Sequence, residues 1–323
     1  MSSPSRLLVV SCTPGTGSSS IARAAARRRG AVLVERPPID ADHGESSLPF
    51  DEAVLASEEV EVAAGLARLE ELHAIARHLA AGECVVWNAG DVDGALRVLA
   101  AVDAVPVLVG SMGPELRAAA GVRVDELQDI RSRMQDAAPA VLLVVSTGRG
   151  ERRRVARVGG QLAVLGMGLA AVVVNRVPDR DDPWPKAWAK QQRRRARAVR
   201  ATARGLGAVV RFIRWFPGDS VSDRRLARRL DFVDSLTPGP APAPATIEAT
   251  EDGYRWQLAW PGVESTQARI GRVGDDAVFV VSGMTCMAPL PSLIARCSLV
   301  SARLRDGVLT IDVVPNAAVW RTA

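Results

Sequence analysis

One stretch near the start constrains the fold more than any other: Arg6-Leu7-Leu8-Val9-Val10-Ser11-Cys12-Thr13-Pro14-Gly15-Thr16-Gly17-Ser18-Ser19-Ser20-Ile21-Ala22. An apolar run ends in a loop of Gly, Ser and Thr, and an Ala/Arg stretch with helical character follows. Strand, loop and helix in that order present backbone N–H groups and a helix N-terminus to an anion. The phosphate-loop motif is Gly, four residues, Gly-Lys and then Ser or Thr. Here Gly17 is followed by Ser18 where the lysine belongs, and Ser19 stands at the hydroxyl position. The loop keeps its backbone and lacks its charge. Gly15, Thr16, Gly17, Ser18, Ser19 and Ser20 form the candidate nucleotide-binding set, against the alternative of a structural turn that binds nothing.

The chain beyond this stretch alternates between short apolar runs and amphipathic segments. Strands are expected at 6–10, 31–34, 84–87, 141–145, 169–174 and 209–216. Helices are expected at 21–29, 51–81, 95–101, 114–135, 152–165, 186–204 and around 222–234. Residues 105–109 read as a short strand or extended loop. Strands buried on both faces, separated by helices, predict a doubly wound, mostly parallel α/β sheet.

The segment Thr237-Pro238-Gly239-Pro240-Ala241-Pro242-Ala243-Pro244 marks a boundary and predicts an extended, semi-rigid linker. After it the pattern changes to short strands at 254–260, 267–273, 277–282, 298–304 and 308–314, with Gly and Asp turns between them. This predicts a small all-β sandwich. The expected division is an α/β domain over 1–236, a linker over 237–246 and a sandwich over 247–323.

Composition narrows the function classes. Hydrophobic residues make up 48% of the 323, but aromatic ones only 4%, which predicts an Ala/Val/Leu core. The four cysteines, Cys12, Cys84, Cys286 and Cys297, include no C-x-x-C pair, so neither a zinc site nor a disulfide framework is expected. His73 and His78 lie five apart, which does not place them on one helix face as a metal pair. No apolar run reaches membrane-span length, so a cytoplasmic location is expected and an integral membrane protein is not. The basic segment 186–204 reads as a solvated face or a contact for an acidic surface. Nucleic acid is disfavoured because stacking aromatics are few, only Trp184 and Trp188 lying nearby.

With both halves placed, the chain resembles the ArsA-type anion-transporting ATPases, kin of the factors that target tail-anchored membrane proteins. Val172-Val173-Val174-Asn175-Arg176-Val177 is similar to the family's adenine-pocket strand. Val85-Val86-Trp87-Asn88 followed by Gly94-Ala95-Leu96-Arg97 is similar to its switch strand and helix. The segments Leu258–Val263, Arg272–Ala277 and Ala302–Leu309 resemble the α-crystallin-like domain that some members carry. The resemblance implies a P-loop NTPase-type sheet, ATP or ADP with Mg²⁺ as ligand, Asn175 reading the adenine edge, and Ser19 holding the metal if Mg-nucleotide binds.

The departures concern chemistry. The family's two loop lysines match Ser18 and Thr13, and its catalytic strand-end aspartate matches Asn88. Phosphoryl transfer is catalysed by positioning and charge neutralisation, so their loss predicts no catalytic residue at all. An arginine of the run 27–29, or Arg149, is a candidate replacement for the lysines. The expectation is a pseudo-ATPase: a regulatory or structural subunit, homo- or heterodimeric with an ArsA-like paralogue, with at most weak nucleotide binding and no other cofactor. The alternatives are an active ATPase of the family with an atypical loop, and a chaperone-like binding module with a membrane-protein client. Only about 40 residues separate Leu99 from Val141, little room for the helical insert that shields such a client.

Overall fold

The computed structural model describes residues 4–13, 15–35, 68–111, 124–179, 184–215, 223–243, 245–263, 268–281 and 284–317. Strands β1 (Leu7–Cys12), β2 (Val32–Glu35), β3 (Val85–Asp91), β4 (Ala140–Val145), β5 (Leu169–Val177) and β6 (Val209–Arg214) form a six-stranded sheet in the order β2-β3-β1-β4-β5-β6. Every pairing in it is parallel. β1 and β4 are buried along their whole length, as strands covered on both faces must be.

Helices α1 (Ser18–Arg29), α2 (Leu69–Ala80), α3 (Val92–Ser111), α4 (Val124–Asp136), α5 (Glu151–Val164), α6 (Lys186–Gly205) and α7 (Asp223–Arg229) cover the sheet. Apolar residues at helical spacing explain the docking: α6 buries Ala189, Gln192, Ala196, Val199 and Ala203 and leaves its cations outward. α1 and α7, with a 3₁₀ turn at Asp231–Ser235, pack on one face around Leu8, Val10, Leu142 and Val173. On the other face the core around Leu7, Val9, Leu143 and Val158 runs on without a break to Trp256, Trp260 and Phe279.

Those last residues belong to a second, antiparallel β unit. Strands β9 (Ala268–Val273), β10 (Asp276–Val281) and β11 (Met284–Pro289) form one sheet in the order β11-β10-β9. Strands β7 (Thr246–Ala249), β8 (Tyr254–Ala259), β12 (Cys297–Arg305) and β13 (Val308–Pro315) form the other, in the order β12-β13-β8-β7. A short helix α8 (Ser292–Ala295) joins β11 to β12. Trp260 and Phe279 meet edge to face at 5.0 Å, a geometry the ring quadrupoles favour. The unit lies against the helical layer. Gly160 of α5 is required there, because a Cβ at that position would lie 2.3 Å from the carbonyl oxygen of Pro261. The Pro-rich segment does not hang free either: its backbone at 239–240 lies against Gly168.

Two details correct the sequence reading. Residues 105–109 are helical, being the last part of α3, which lies along β11. β11 itself was not expected; Met284 and Cys286, at period-two spacing, face the core at 1% exposure each. Cys297 is buried too. Of the helix expected over 51–81, only its end is described, as α2, and Leu66 lies outside the described residues. The part of the 114–135 helix before Val124 is likewise outside them.

Candidate functional site

The candidate site lies at the C-terminal edge of the parallel sheet, where β1 runs between β3 and β4. Cys12 stands opposite Asp91 on one side and Val144 on the other, so the loop that follows sits in the crevice where α/β sheets bind ligands. Thr13 N–H donates to the Val144 carbonyl at 3.3 Å, and Thr16 N–H donates to the Thr13 carbonyl at 3.2 Å. The Thr16 hydroxyl donates to the Thr13 carbonyl at 2.7 Å and reaches Val144 O at 3.2 Å. Thr16 is thus a structural pin, 3% exposed. Pro14 lies outside the described residues.

Gly17 is the residue before α1 and has φ +86°, which side chains tolerate poorly. No side chain caps α1, and its first turn carries no acid. The positive end of the helix dipole therefore faces the crevice with no acid of the helix's own first turn beside it. Ser18, in the lysine position, is 8% exposed.

Asn175, at the end of β5, braces the loop. Its Nδ2 donates to Thr16 O at 2.8 Å, and its Oδ1 accepts from Arg176 N–H at 2.9 Å. Both ends of the amide are engaged within the protein, which is the geometry of a loop brace. Arg176, in the left-handed region at φ 56°, donates from its guanidinium to Gly15 O at 3.0 Å. It also lies over the Trp215 ring at 5.6 Å. Trp215 in turn meets Trp184 edge to face at 5.7 Å, and Trp184 lies 5.1 Å from Trp188.

On the β3 side, Asn88 is the register partner of Val10 in β1 and of Glu35 in β2. Its Nδ2 donates to Ser19 Oγ at 3.1 Å and to Glu35 Oε1 at 2.9 Å. One amide nitrogen therefore holds together two oxygens, one from the helix start and one from the neighbouring strand. The Asn88 Oδ1 is buried without a partner among the described residues.

Behind the loop, Glu151 in the first turn of α5 is 7% exposed, and burial pushes its carboxyl above the ordinary value. Arg154, at 3.8 Å, opposes the rise without cancelling it. Thr13, at the second lysine position, faces this carboxyl, and its hydroxyl also opposes the rise.

The structure places Gly15, Thr16, Gly17, Ser19, Asn88 and Asn175 around the loop after β1. It does not bring the run 27–29 to the loop. Those arginines form the last turn of α1, where Arg28 pairs with Asp234 and Arg29 donates to Ser5 O. Arg176, Glu35 and Glu151 are the site residues that sequence reasoning missed. His73 pairs with Glu126 and His78 with Glu83, so each imidazole has a separate partner. Among the described residues no group of three or more His, Cys, Asp or Glu is placed to hold a metal ion. Asp91 accepts from Gly94 N–H at 2.9 Å, ordinary turn chemistry, while Asp93 pairs with Arg157 at 3.0 Å.

No helix among the described residues is long and apolar enough to cross a membrane. Residues 251–313 match the model of the HSP20-like domain found in ArsA, which coincides with the strands from β8 to β13. Relatives include Protein Rv2184c of Mycobacterium tuberculosis, 26% identical over 200 residues, covering 56% of this chain and 47% of that protein. The uncharacterized protein SCO2128 of Streptomyces coelicolor is 29% identical over 202 residues, covering 60% of this chain and 50% of that one. The chain spans about half the length of the curated relatives it matches. The α/β sheet, followed by a β unit that matches the HSP20-like domain found in ArsA, supports an ArsA-related chain with an α-crystallin-like C-terminal part.

Proposed function

We propose that this chain is an ArsA-like pseudo-ATPase that acts by association, as a regulatory or structural subunit paired with an ArsA-like chain. The observation that carries the reading is the Asn88 amide between Ser19 Oγ and Glu35 Oε1. A divalent cation in such a site is held by oxygens; here an N–H donor takes the central place. With Ser18 and Thr13 in the two lysine positions, little remains to neutralise charge developing on a transferred phosphoryl group.

The residues fit a nucleotide only in part. The uncapped start of α1 suits a phosphate, and Ser19 is the residue that would meet a metal if Asn88 released it. Asn175 is already committed to the loop, so adenine recognition there would require its bonds to Thr16 and Arg176 to be exchanged. Calorimetric titration of ATP and ADP with Mg²⁺ into the full chain and its Asn175→Ala and Ser19→Ala variants tests the reading. Weak binding or none supports it. Submicromolar binding of Mg-ATP that requires Ser19 would contradict it.

A second reading, a chaperone-like binding module, is favoured by one feature. Leu299 and Val300 stand 55% and 61% exposed on β12, an edge strand of the four-stranded sheet. Exposed apolar residues on an unpaired edge invite another segment. Suppression of client aggregation by the full chain, lost in Leu299→Glu, would support this second reading over the first.

A further inference from the structure

A cleft of about 770 Å³ opens between the first turns of α5 and the β8–β9 and β12–β13 turns of the β unit. Its cationic lining is Arg153, Arg154 and Arg157 from α5 and Arg305 from the end of β12. Arg157 is occupied by Asp93, and Arg154 leans toward Glu151 at 3.8 Å. Arg153 and Arg305 are exposed and have no side-chain partner among the described residues. Among the described residues the acid in the lining is Asp306. Four guanidinium groups from two separate elements thus converge on one concave space, with the start of α5 beside them at Gly150.

We propose that this cleft is a binding site for a compact oligophosphate, separate from the loop after β1, with Arg153 and Arg305 gripping the phosphates from opposite walls. The volume lies in the range of sites for small ligands, not of extended grooves. Guanidinium forks match phosphate oxygens bidentately, and charge-assisted bonds of that kind are the strong ones. Val263, Leu304 and Ala156 line the rest of the space, so an organic body beside the phosphates also finds apolar contact. The chemistry has two sources, a free inorganic chain of phosphates or the tail of a nucleotide, and the cleft is large enough for either. Because α5 carries Glu151 at the loop and the arginines at the cleft, the site stands where the α/β and β units meet.

The test is calorimetric titration of the full chain with inorganic tripolyphosphate and, separately, with ATP in the absence of Mg²⁺. Four proteins are compared: the native chain, Arg153→Glu with Arg305→Glu, Arg153→Lys with Arg305→Lys, and Asn175→Ala. The expected result is tripolyphosphate binding that weakens about tenfold or more on charge reversal, partly returns with lysine, and stays within about twofold in Asn175→Ala. ATP binding with the same pattern assigns a nucleotide tail, and tripolyphosphate alone assigns the free chain. Both arginines are exposed, and equal melting temperatures verify that the variants fold. Tripolyphosphate binding that is absent, that ignores charge reversal, or that is lost in Asn175→Ala overturns the proposal. So does tighter binding of an oligoglutamate peptide by the same arginines.

Discussion

Asn88 Nδ2 donates to Ser19 Oγ at 3.1 Å, tying the middle of β3 to the start of α1 through a neutral hydrogen bond. The same nitrogen holds Glu35 at 2.9 Å. An aspartate at this position would repel Glu35 and could reach neither oxygen as a donor. Asn88→Asp is therefore expected to destabilise the chain by about 1–2 kcal/mol without divalent cations. Millimolar Mg²⁺ should restore part of the loss, and thermal melts with and without the ion measure both effects. A variant as stable as the native chain in chelator would show that the amide contributes nothing.

Glu71 links α2 to the sheet. Its carboxylate accepts from Trp87 Nε1 and from Arg68 Nε, both at 2.9 Å, and the side chains of Glu71 and Arg68 are 7% and 10% exposed. Removing one partner of a buried pair strands the other charge. Glu71→Ala is expected to cost about 3–5 kcal/mol in a denaturant titration, whereas Trp87→Phe, which leaves the ion pair intact, should cost less.

Glu151 makes stability depend on pH in a defined direction. Burial raises its folded value above the ordinary 4.5. Between those two values the folded chain holds a proton that the unfolded chain has released, so stability falls as pH rises through that window. Glu151→Gln cannot ionise. Its melting temperature should exceed that of the native chain at pH 8, and the gap should close as pH approaches 4. A gap that widens on acidification would reverse the assignment.

Gly160 sets the closeness of α5 to the β unit. Gly160→Ala places a methyl against the Pro261 carbonyl oxygen, which only a shift of backbone relieves. The expected cost is about 1–3 kcal/mol, with faster proteolytic cleavage in the 237–246 segment as the two units separate. Unchanged cleavage would mean that the close approach does not hold them together.

The parallel sheet was legible because β1, β4 and β5 are apolar on both faces and are separated by helical periods. The loop between β1 and α1 was legible from the order of an apolar run, a Gly/Ser/Thr stretch and an Ala/Arg stretch. Residues 105–109 misled because Val105, Val107 and Val109 favour strand and Pro106 disfavours helix; the continuation of α3 along β11 overrides that local preference. Of the site, Asn88 and Ser19 could be named in advance. Glu35 comes to them only through the register of β2 with β3, and Arg176 and Glu151 only because β5 and the first turn of α5 lie beside the loop after β1. No spacing in the sequence announces those contacts, nor the cleft whose walls lie in α5 and β12.

The central claim, that the loop after β1 has lost phosphoryl transfer, is tested most directly by ATP turnover of the purified full chain with Mg²⁺, alongside Ser19→Ala and Asn88→Ala. The account predicts a rate at background that neither substitution changes. Turnover above background that both substitutions abolish would contradict it, and would make the amide between Ser19 and Glu35 part of a working enzyme.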